Sequence, residues 1–74
     1  MIIKVKLFAT LRNGRGKILE LDVNNQSEIN EVIDLLNIKK SDIAILLLNG
    51  LDAEFNQKLK ENDTLSIFPP VGGG

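Results

Sequence analysis

One short helical stripe of apolar residues, with strand-like segments on both sides of it, most restricts how this chain can fold. Ile29, Val32, Ile33 and Leu36 recur at the i, i+3, i+4 and i+7 spacing of a helix face that packs on a core. A chain of 74 residues builds only one core. The rest of that core must come from strands, and one helix can cover only one face of the resulting sheet.

The predicted strands are short segments with apolar residues at alternate positions. They span residues 2–9, 17–23, 43–48, a short returning piece at 51–54, and 64–68. The residues predicted to face inward on the first two and on the last are Ile3, Val5, Leu7, Leu19, Leu21, Val23, Leu65 and Ile67. Asn13-Gly14-Arg15-Gly16 predicts the turn of a hairpin between the first two, because Asn and Gly accept positive φ at little cost.

Residues 43–48 are apolar on both faces, so periodicity alone fits a strand or a buried helix segment. The segment is short and ends at Asn49-Gly50, the strongest short hairpin signal, which favours a strand. The residues predicted to face the helix are Ala44, Leu46 and Leu48, which leaves Ile43, Ile45 and Leu47 on the other face. Ahead of the helix, Ser27 is the predicted N-cap.

The order ββαββ, with a small strand between the last two long ones, predicts an α+β fold. One helix packed on one face of a mixed sheet of four or five strands is the β-grasp, the architecture of ubiquitin. We expect this domain to span residues 1–68 and residues 69–74 to form an extended, flexible tail.

Composition excludes several classes of function. Nine basic and ten acidic residues give a net charge of −1 without a basic stripe, so nucleic-acid binding is not expected. Without Cys or His, the chain lacks a thiolate nucleophile, the usual general base and the commonest metal ligand, and we predict no metal site. No apolar stretch approaches the roughly 18 residues of a membrane span, and no signal peptide is recognisable. We expect a soluble cytoplasmic protein that is not an enzyme by itself.

The segment Pro69-Pro70-Val71 followed by Gly72, Gly73 and Gly74 is the most informative about function. Two prolines favour an extended chain that leaves the fold, and glycines can thread a narrow channel. The carboxylate of Gly74 is then the one reactive group that needs no cleft to reach a partner. After adenylation by ATP, a sulfide equivalent can displace AMP and leave a thiocarboxylate. The alternative is that these glycines form only a flexible end.

Two segments resemble the MoaD family, the small subunits of molybdopterin synthase. One is Val5-Lys6-Leu7-Phe8-Ala9-Thr10-Leu11-Arg12. The other runs from Leu59 to Asp63 and on through Ile67-Phe68-Pro69-Pro70-Val71 to Gly-Gly. The Phe-Pro-Pro-Val-x-Gly-Gly ending is much more specific than Gly-Gly alone, and the related thiazole-pathway carriers usually lack it. Gly72 departs from the family pattern, which usually has a larger residue there.

The resemblance implies a sulfur carrier in molybdenum or tungsten cofactor biosynthesis, with Gly74 as the thiocarboxylate. A MoeB-like adenylating enzyme, similar to those that activate ubiquitin, would use ATP and magnesium, while this chain itself binds no cofactor. A MoaE-like large subunit would form a heterotetramer with it and supply the catalytic side chains of this sulfurtransferase. The resemblance places partner-binding residues at Phe8, Arg12 and Phe68, and we add Leu47, Pro69, Pro70 and Val71 because they lie on the same predicted face or lead into the tail.

Three readings stay open from sequence alone. In the first, the protein is a sulfur carrier of the molybdopterin or the thiazole pathway. In the second, it is a ubiquitin-like modifier whose adenylate is attacked by a lysine amine. The third is a plain β-grasp interaction domain with an inert tail, in which case deletion of Gly73-Gly74 would leave its function unchanged.

Overall fold

The computed structural model describes residues 1–71, which form a five-stranded mixed sheet with one α-helix packed on one face. The strands are β1 (Ile2–Leu7), β2 (Ile18–Asp22), β3 (Ile45–Leu48), β4 (Leu51–Asp52) and β5 (Thr64–Phe68), and the helix is α1 (Ile29–Leu35). The strand order is β2-β1-β5-β3-β4, in which only β1 and β5 are parallel neighbours. The structure confirms the ubiquitin-like β-grasp.

The core lies between α1 and the inner face of the sheet. Alternation correctly predicted its β1 and β5 members: Ile3, Val5, Leu7, Leu65 and Ile67 all have no exposed surface. The helical stripe supplies three further buried residues, Ile29, Val32 and Ile33, and its fourth member, Leu36, is partly buried. Leu19, Leu21 and Val23 also pack against this core from β2 and its end. Within the described residues, no helix is long and apolar enough to cross a bilayer.

The predicted N-cap of α1 is wrong by one residue, because Glu28 occupies that position and Ser27 does not. The Glu31 carboxylate accepts a hydrogen bond from the Glu28 backbone N–H, one half of a capping box. The Ser27 hydroxyl instead donates to the Asn24 carbonyl at 2.8 Å, while the Ser27 carbonyl accepts from Leu59 N–H at 2.8 Å. These contacts hold Ser27 in the preceding turn, with only 8% of its surface exposed.

β3 begins later than predicted, and this changes the orientation of its first two residues. Ala44 was predicted to face the helix but is exposed, whereas Ile43 was predicted to face outward but packs against the core. The cause is a 3₁₀ turn at Lys40–Asp42, after which regular pairing begins only at Ile45. From Ile45 onward the predicted alternation holds, since Leu46 and Leu48 are buried and Ile45 and Leu47 are not. At the predicted hairpin turn, Asn49 and Gly50 both have positive φ, 52° and 85°.

β1 is also shorter than predicted, because it ends at Leu7 and not at residue 9. Ala9 has a φ of 53°, and it turns the chain into a 3₁₀ helix at Ala9–Arg12 that the sequence did not indicate. The predicted turn at residues 13–16 follows this helix. Because β1 ends early, Phe8 lies just beyond the end of this strand. Arg12 follows one helical turn later.

Candidate functional site at the end of the sheet

Two phenylalanines lie side by side where the two central strands end. Because β1 and β5 are parallel, both end at the same edge of the sheet, and Leu7 is paired with Ile67. The next residue on each strand is a phenylalanine. The rings of Phe8 and Phe68 stack with their centroids 4.0 Å apart and their planes at 10°. Both side chains are only partly buried, so the stacked pair faces outward from the domain.

Arg12 is fixed over this pair by two contacts. Its Nε donates to the Leu7 carbonyl at 2.8 Å, and its guanidinium carbon lies 5.4 Å from the centre of the Phe8 ring. A cation–π contact of this kind contributes about 0.5–1 kcal/mol at an exposed site. The 3₁₀ helix therefore places the guanidinium next to the aromatic pair, and Phe8, Phe68 and Arg12, which the sequence singled out, come together.

Strand pairing extends the aromatic pair into an apolar surface on the outer face of the sheet. Ile45 is directly opposite Phe68, and Leu47 lies two residues further along β3. Ile45 is 48% exposed and Leu47 is half-buried. We refer to Phe8, Phe68, Ile45 and Leu47 as the outer patch. A contiguous exposed apolar surface that includes aromatic side chains is typical of a protein-binding site.

The chain leaves the domain directly beside the outer patch. The Phe68 carbonyl accepts a hydrogen bond from Ala44 N–H at 2.8 Å, and this is where pairing of β5 ends. Exposure then rises along the chain: Pro69 is half-buried, Pro70 is exposed and Val71 is 96% exposed. Neither proline can donate to a sheet ladder, so the strand cannot continue. The remaining predicted site residues, Gly72, Gly73 and Gly74, lie outside the described residues.

Residues 1–71 offer a surface for binding and little that resembles an active site. They contain no group of three or more Asp, Glu, His or Cys side chains that could hold a metal ion. Every buried side-chain N or O atom among them has a hydrogen-bond partner. What this part of the chain can do is present the outer patch beside the point where Pro69–Val71 leave the sheet.

Arg15 supports the site in a way that sequence reasoning missed. Its guanidinium donates to three backbone carbonyls: Leu11 at 3.2 Å, Leu36 at 3.0 Å and Asn37 at 3.1 Å. These bonds join the 3₁₀ helix that carries Arg12 to the C-terminal end of α1, where carbonyls have no partner within the helix. The position of Arg15 between two glycines of a turn indicated only an exposed loop residue.

Comparison with known proteins identifies a family for this chain. The family model described as the ThiS family matches residues 5–74, which is almost the whole chain. The chain belongs to the ThiS family. No curated protein matches it. Membership in the ThiS family agrees with the fold and with the resemblance seen in the sequence.

Solved structures similar to this ThiS-family chain carry two kinds of names. It superposes on SAMP1, a small archaeal modifier protein, from Haloferax volcanii with a TM-score of 0.82, 24% identity and full coverage of both chains. For SAMP1 from Methanosarcina acetivorans, the TM-score is 0.77 and identity is 26%, over 99% of this chain and 96% of that one. The third is a chain from the complex of subunits 1 and 2 of molybdopterin-converting factor of Helicobacter pylori, with a TM-score of 0.69, 24% identity and full coverage of both chains. The ThiS-family chain therefore has the β-grasp that sulfur carriers and ubiquitin-like modifiers share.

Proposed function

We propose that this protein is the sulfur-carrying small subunit of a molybdopterin synthase. In this proposal Gly74 is adenylated, converted to a thiocarboxylate, and donates its sulfur to a pterin precursor of the molybdenum or tungsten cofactor. ATP and magnesium are used by the activating enzyme, and the catalytic side chains of sulfur transfer are those of the large subunit.

The observation that carries the proposal is the way in which the chain leaves the sheet. Phe68 belongs to the outer patch, and the next residues are Pro69, Pro70 and the fully exposed Val71. Six extended residues beyond Phe68 span roughly 20 Å, which is enough to enter a pocket of another protein. A partner that binds the outer patch would therefore have Gly74 within reach of its own active site.

The proposed chemistry requires no nucleophile from this chain. A carboxylate oxygen of Gly74 attacks the α-phosphorus of ATP, and pyrophosphate leaves as the acyl-adenylate forms. A sulfide equivalent then attacks the acyl carbon, so that a C–S bond forms, the C–O bond to AMP breaks and AMP departs. This route agrees with a chain that has neither Cys nor His.

The partner-binding surface in this proposal is the outer patch with the residues that lead out of it. Phe8 and Phe68 are the aromatic anchors, Arg12 supplies a charged group at the rim, and Leu47 extends the apolar area. Pro69, Pro70 and Val71 would lie along the entrance of the partner's pocket. The Helicobacter pylori neighbour is a complex of two molybdopterin-converting factor subunits, which supports a MoaE-like large subunit as one partner. In this proposal the two subunits assemble as a heterotetramer. A MoeB-like adenylating enzyme is the other.

A ubiquitin-like modifier is the second candidate, and the likeness to SAMP1 of Haloferax volcanii favours it. The same acyl-adenylate would be attacked by a lysine amine, giving an isopeptide bond through Gly74. A sulfur carrier of the thiazole pathway would form the same thiocarboxylate and differ only in the acceptor of the sulfur. The three functions therefore diverge after activation.

Mass spectrometry of the C-terminal tryptic peptide tests the proposal. Lys60 is the last basic residue, so trypsin releases residues 61–74, which contain no Met or Cys to confuse oxidation with sulfur exchange. After incubation with ATP, magnesium, the adenylating enzyme and a sulfur donor, we expect one oxygen of Gly74 to be replaced by sulfur. Adding the large subunit and the pterin precursor should return the carboxylate.

The control is the variant that lacks Gly73 and Gly74, which should fold normally and stay unmodified. A thiocarboxylate that the large subunit cannot discharge would argue against the molybdopterin assignment. An unmodified wild-type carboxylate, together with Gly74 bound to lysines of other proteins, would replace the carrier with the modifier.

A further inference from the structure

β2 is an edge strand, and one side of its backbone is free to pair. It is the first strand in the order β2-β1-β5-β3-β4, so it pairs only with β1. At the two ends of this pairing, the Lys17 carbonyl and the Val23 N–H bond to the neighbouring chain at 2.9 and 2.8 Å. Bonded residues alternate along an antiparallel strand, so the residues between them that point away from β1 are Ile18, Glu20 and Asp22. Within residues 1–71, the backbone N–H and C=O groups of these three have no hydrogen-bond partner.

The two edges of the sheet differ in how well they could accept another strand. An open edge tends to recruit further strands, and proteins usually protect it by a short strand, a bulge or a proline. β4, at the opposite edge, contains only two residues. β2 has five residues in continuous register with β1, without a bulge or a proline. An incoming strand would therefore be added at β2.

The side of this edge that faces α1 is apolar and open. Leu19, Leu21 and Val23 point toward the core but are only partly buried. A hollow of about 220 Å³ lies between the end of β2 and α1, and Val23 and Leu35 form its apolar wall. Leu35 is 61% exposed. Apolar side chains of an added strand would cover these residues and extend the core beyond β2.

The exposed side chains along the edge are mainly acidic. Glu20 and Asp22 lie on the outer face, and Glu31 of α1 lines the hollow. Asp22 binds the Met1 amino group at 3.2 Å, but its side chain remains 77% exposed. Lys4 is the cross-strand neighbour of Glu20, yet Glu20 forms no ion pair within residues 1–71. An added strand should therefore carry cations opposite these two acids, since opposite charges in cross-strand pairs attract.

We propose that β2 binds an extended segment of another protein in which basic and apolar residues alternate. Main-chain hydrogen bonds along β2 would add this segment to the sheet as a sixth strand. Its basic side chains would lie opposite Glu20 and Asp22, and its apolar side chains would pack against Leu21 and Leu35 on the side of α1.

A second copy of this chain fits the edge less well than a basic segment. Antiparallel pairing of β2 with itself over its full length would be centred on Glu20. It would place two Glu20 side chains directly opposite each other, and like charges in such a pair are destabilising. The acids at this edge therefore disfavour self-association and favour a basic partner. Binding at β2 requires neither the outer patch nor Gly74, so the inference is independent of the proposed function.

NMR titration of the isotope-labelled full chain with a synthetic peptide tests the proposal. The probe is a peptide of three Lys-Val repeats, blocked at both ends. We expect it to bind with a Kd of about 0.1–1 mM, to shift the amide signals of Ile18, Glu20 and Asp22, and to slow their hydrogen exchange. A peptide of Glu-Val repeats, and a Lys-Val peptide with alternate backbone nitrogens methylated, should each bind at least about tenfold more weakly.

Two pairs of variants separate the contributions of charge and apolar contact. Glu20→Lys should weaken binding of the Lys-Val peptide about fivefold, whereas Asp52→Lys, at an exposed acid on the opposite edge strand, should not. Leu35→Ala should also weaken it about fivefold. Its control is Leu51→Ala, which removes the same exposed side chain, 74% accessible, from β4. Urea denaturation of each variant shows whether its fold is retained.

Absence of any shift at the β2 amides with millimolar Lys-Val peptide would overturn the proposal. Shifts centred on Phe8, Phe68 and Leu47 would do the same, because the peptide would then occupy the outer patch. Equal binding of the methylated peptide would mean that charge alone attracts it and that no strand is added. Shifts at β2 that depend on protein concentration without peptide would replace the basic segment with a second copy. The variant that lacks Gly73 and Gly74 should bind the peptide as the wild type does, so failure of the proposed function is a separate result.

Discussion

Phe8 and Phe68 stack at 4.0 Å although they lie 60 residues apart in sequence, and they join the ends of the two central strands. The pair exists because β1 and β5 are parallel neighbours whose pairing reaches Leu7 and Ile67. The same pair forms the centre of the outer patch and the point where the chain leaves the sheet. A change in either ring should therefore affect binding more than folding.

Alanine substitution of the two rings tests this relationship. A stacked aromatic pair contributes about 0.5–1.5 kcal/mol beyond its buried area, so Phe8→Ala or Phe68→Ala should each destabilise the domain by about 1–2 kcal/mol. Loss of an aromatic anchor in an interface costs about 2 kcal/mol or more, roughly a 30-fold rise in Kd. Urea denaturation gives the first quantity, and titration with the adenylating enzyme gives the second.

Phe55 provides the matched control, because it is the third phenylalanine and is also partly buried. Its backbone carbonyl accepts a hydrogen bond from the Asn30 side chain at the start of α1. Lys40 Nζ lies 5.2 Å from the centre of its ring. Phe55→Ala should lower the free energy of unfolding by a similar amount and leave the Kd within about twofold. If all three variants bind equally well, the outer patch is not the docking surface.

Arg15 should be more important for stability than its place in an exposed turn suggests. Arg15→Ala removes hydrogen bonds to the carbonyls of Leu11, Leu36 and Asn37, and hydrogen bonds to a charged group contribute about 1.5–3 kcal/mol. Because these carbonyls are only partly buried and water can replace the donor, we expect a loss of about 2 kcal/mol. Arg15→Lys should recover less than half of it, since an ammonium cannot reproduce the planar fork.

The control for Arg15 is Lys39→Ala, which removes a cation from an exposed position close to the same helix end. Its free energy of unfolding, measured by urea denaturation, should change by no more than about 0.5 kcal/mol. A result in which Arg15→Lys matches the wild type would mean that charge near the end of α1, and not hydrogen-bond geometry, is what stabilises this region.

Asn49 joins the β3–β4 turn to the start of β5 through its side chain as well as its backbone. Its Nδ2 donates to Asp63 Oδ1 at 2.9 Å and its Oδ1 accepts from Thr64 N–H at 2.9 Å. Asn49→Asp keeps the acceptor but replaces the donor with a second carboxylate oxygen against buried Asp63. We expect a loss of about 2–3 kcal/mol at neutral pH, measured by urea denaturation.

The same substitution at Asn13 is the natural control, because Asn13 also precedes a glycine but is exposed and forms no side-chain hydrogen bond within residues 1–71. Asn13→Asp should change the free energy of unfolding by less than about 0.5 kcal/mol. Equal losses at the two positions would show that the exchange of an amide for a carboxylate, and not the contact with Asp63, determines the effect.

Local pattern predicted most of the fold, because burial in a β-grasp follows the periods of strands and helices. Alternation identified the buried residues of β1 and β5, and the helical stripe identified the buried face of α1. One error arose where a contact distant in sequence overrides local preference. Ser27 is a good N-cap residue, but its carbonyl pairs with Leu59, and the helix begins one residue later.

The sequence predicted which residues belong to the candidate site but not how they are arranged. The sequence indicated Phe8, Arg12 and Phe68 one by one, but their contact depends on the parallel pairing of β1 with β5 and on the turn at Ala9. Neither the parallel pairing nor the turn can be recognised from the spacing of residues in the sequence.

Ala9 offers a last prediction, because it has a φ of 53° and joins Phe8 to the helix that carries Arg12. A residue with a Cβ is destabilised by about 1–2 kcal/mol in this conformation. Glycine avoids that strain, but its greater freedom in the unfolded chain lowers the free energy of unfolding by about 0.4–1 kcal/mol. Ala9→Gly should therefore stabilise the domain by up to about 1 kcal/mol, as measured in urea.

The opposite change tests whether this backbone conformation also positions the site. Ala9→Val introduces a β-branched residue at positive φ, which is a steric outlier, and should destabilise the domain by about 2 kcal/mol. It should also weaken binding to the adenylating enzyme, because the turn sets the distance between Phe8 and Arg12. Ala44→Val, at an exposed position without positive φ, should do neither. If Ala9→Val retains wild-type affinity, then Arg12 reaches its place over Phe8 independently of the turn, and the contact between these two side chains is what holds it there.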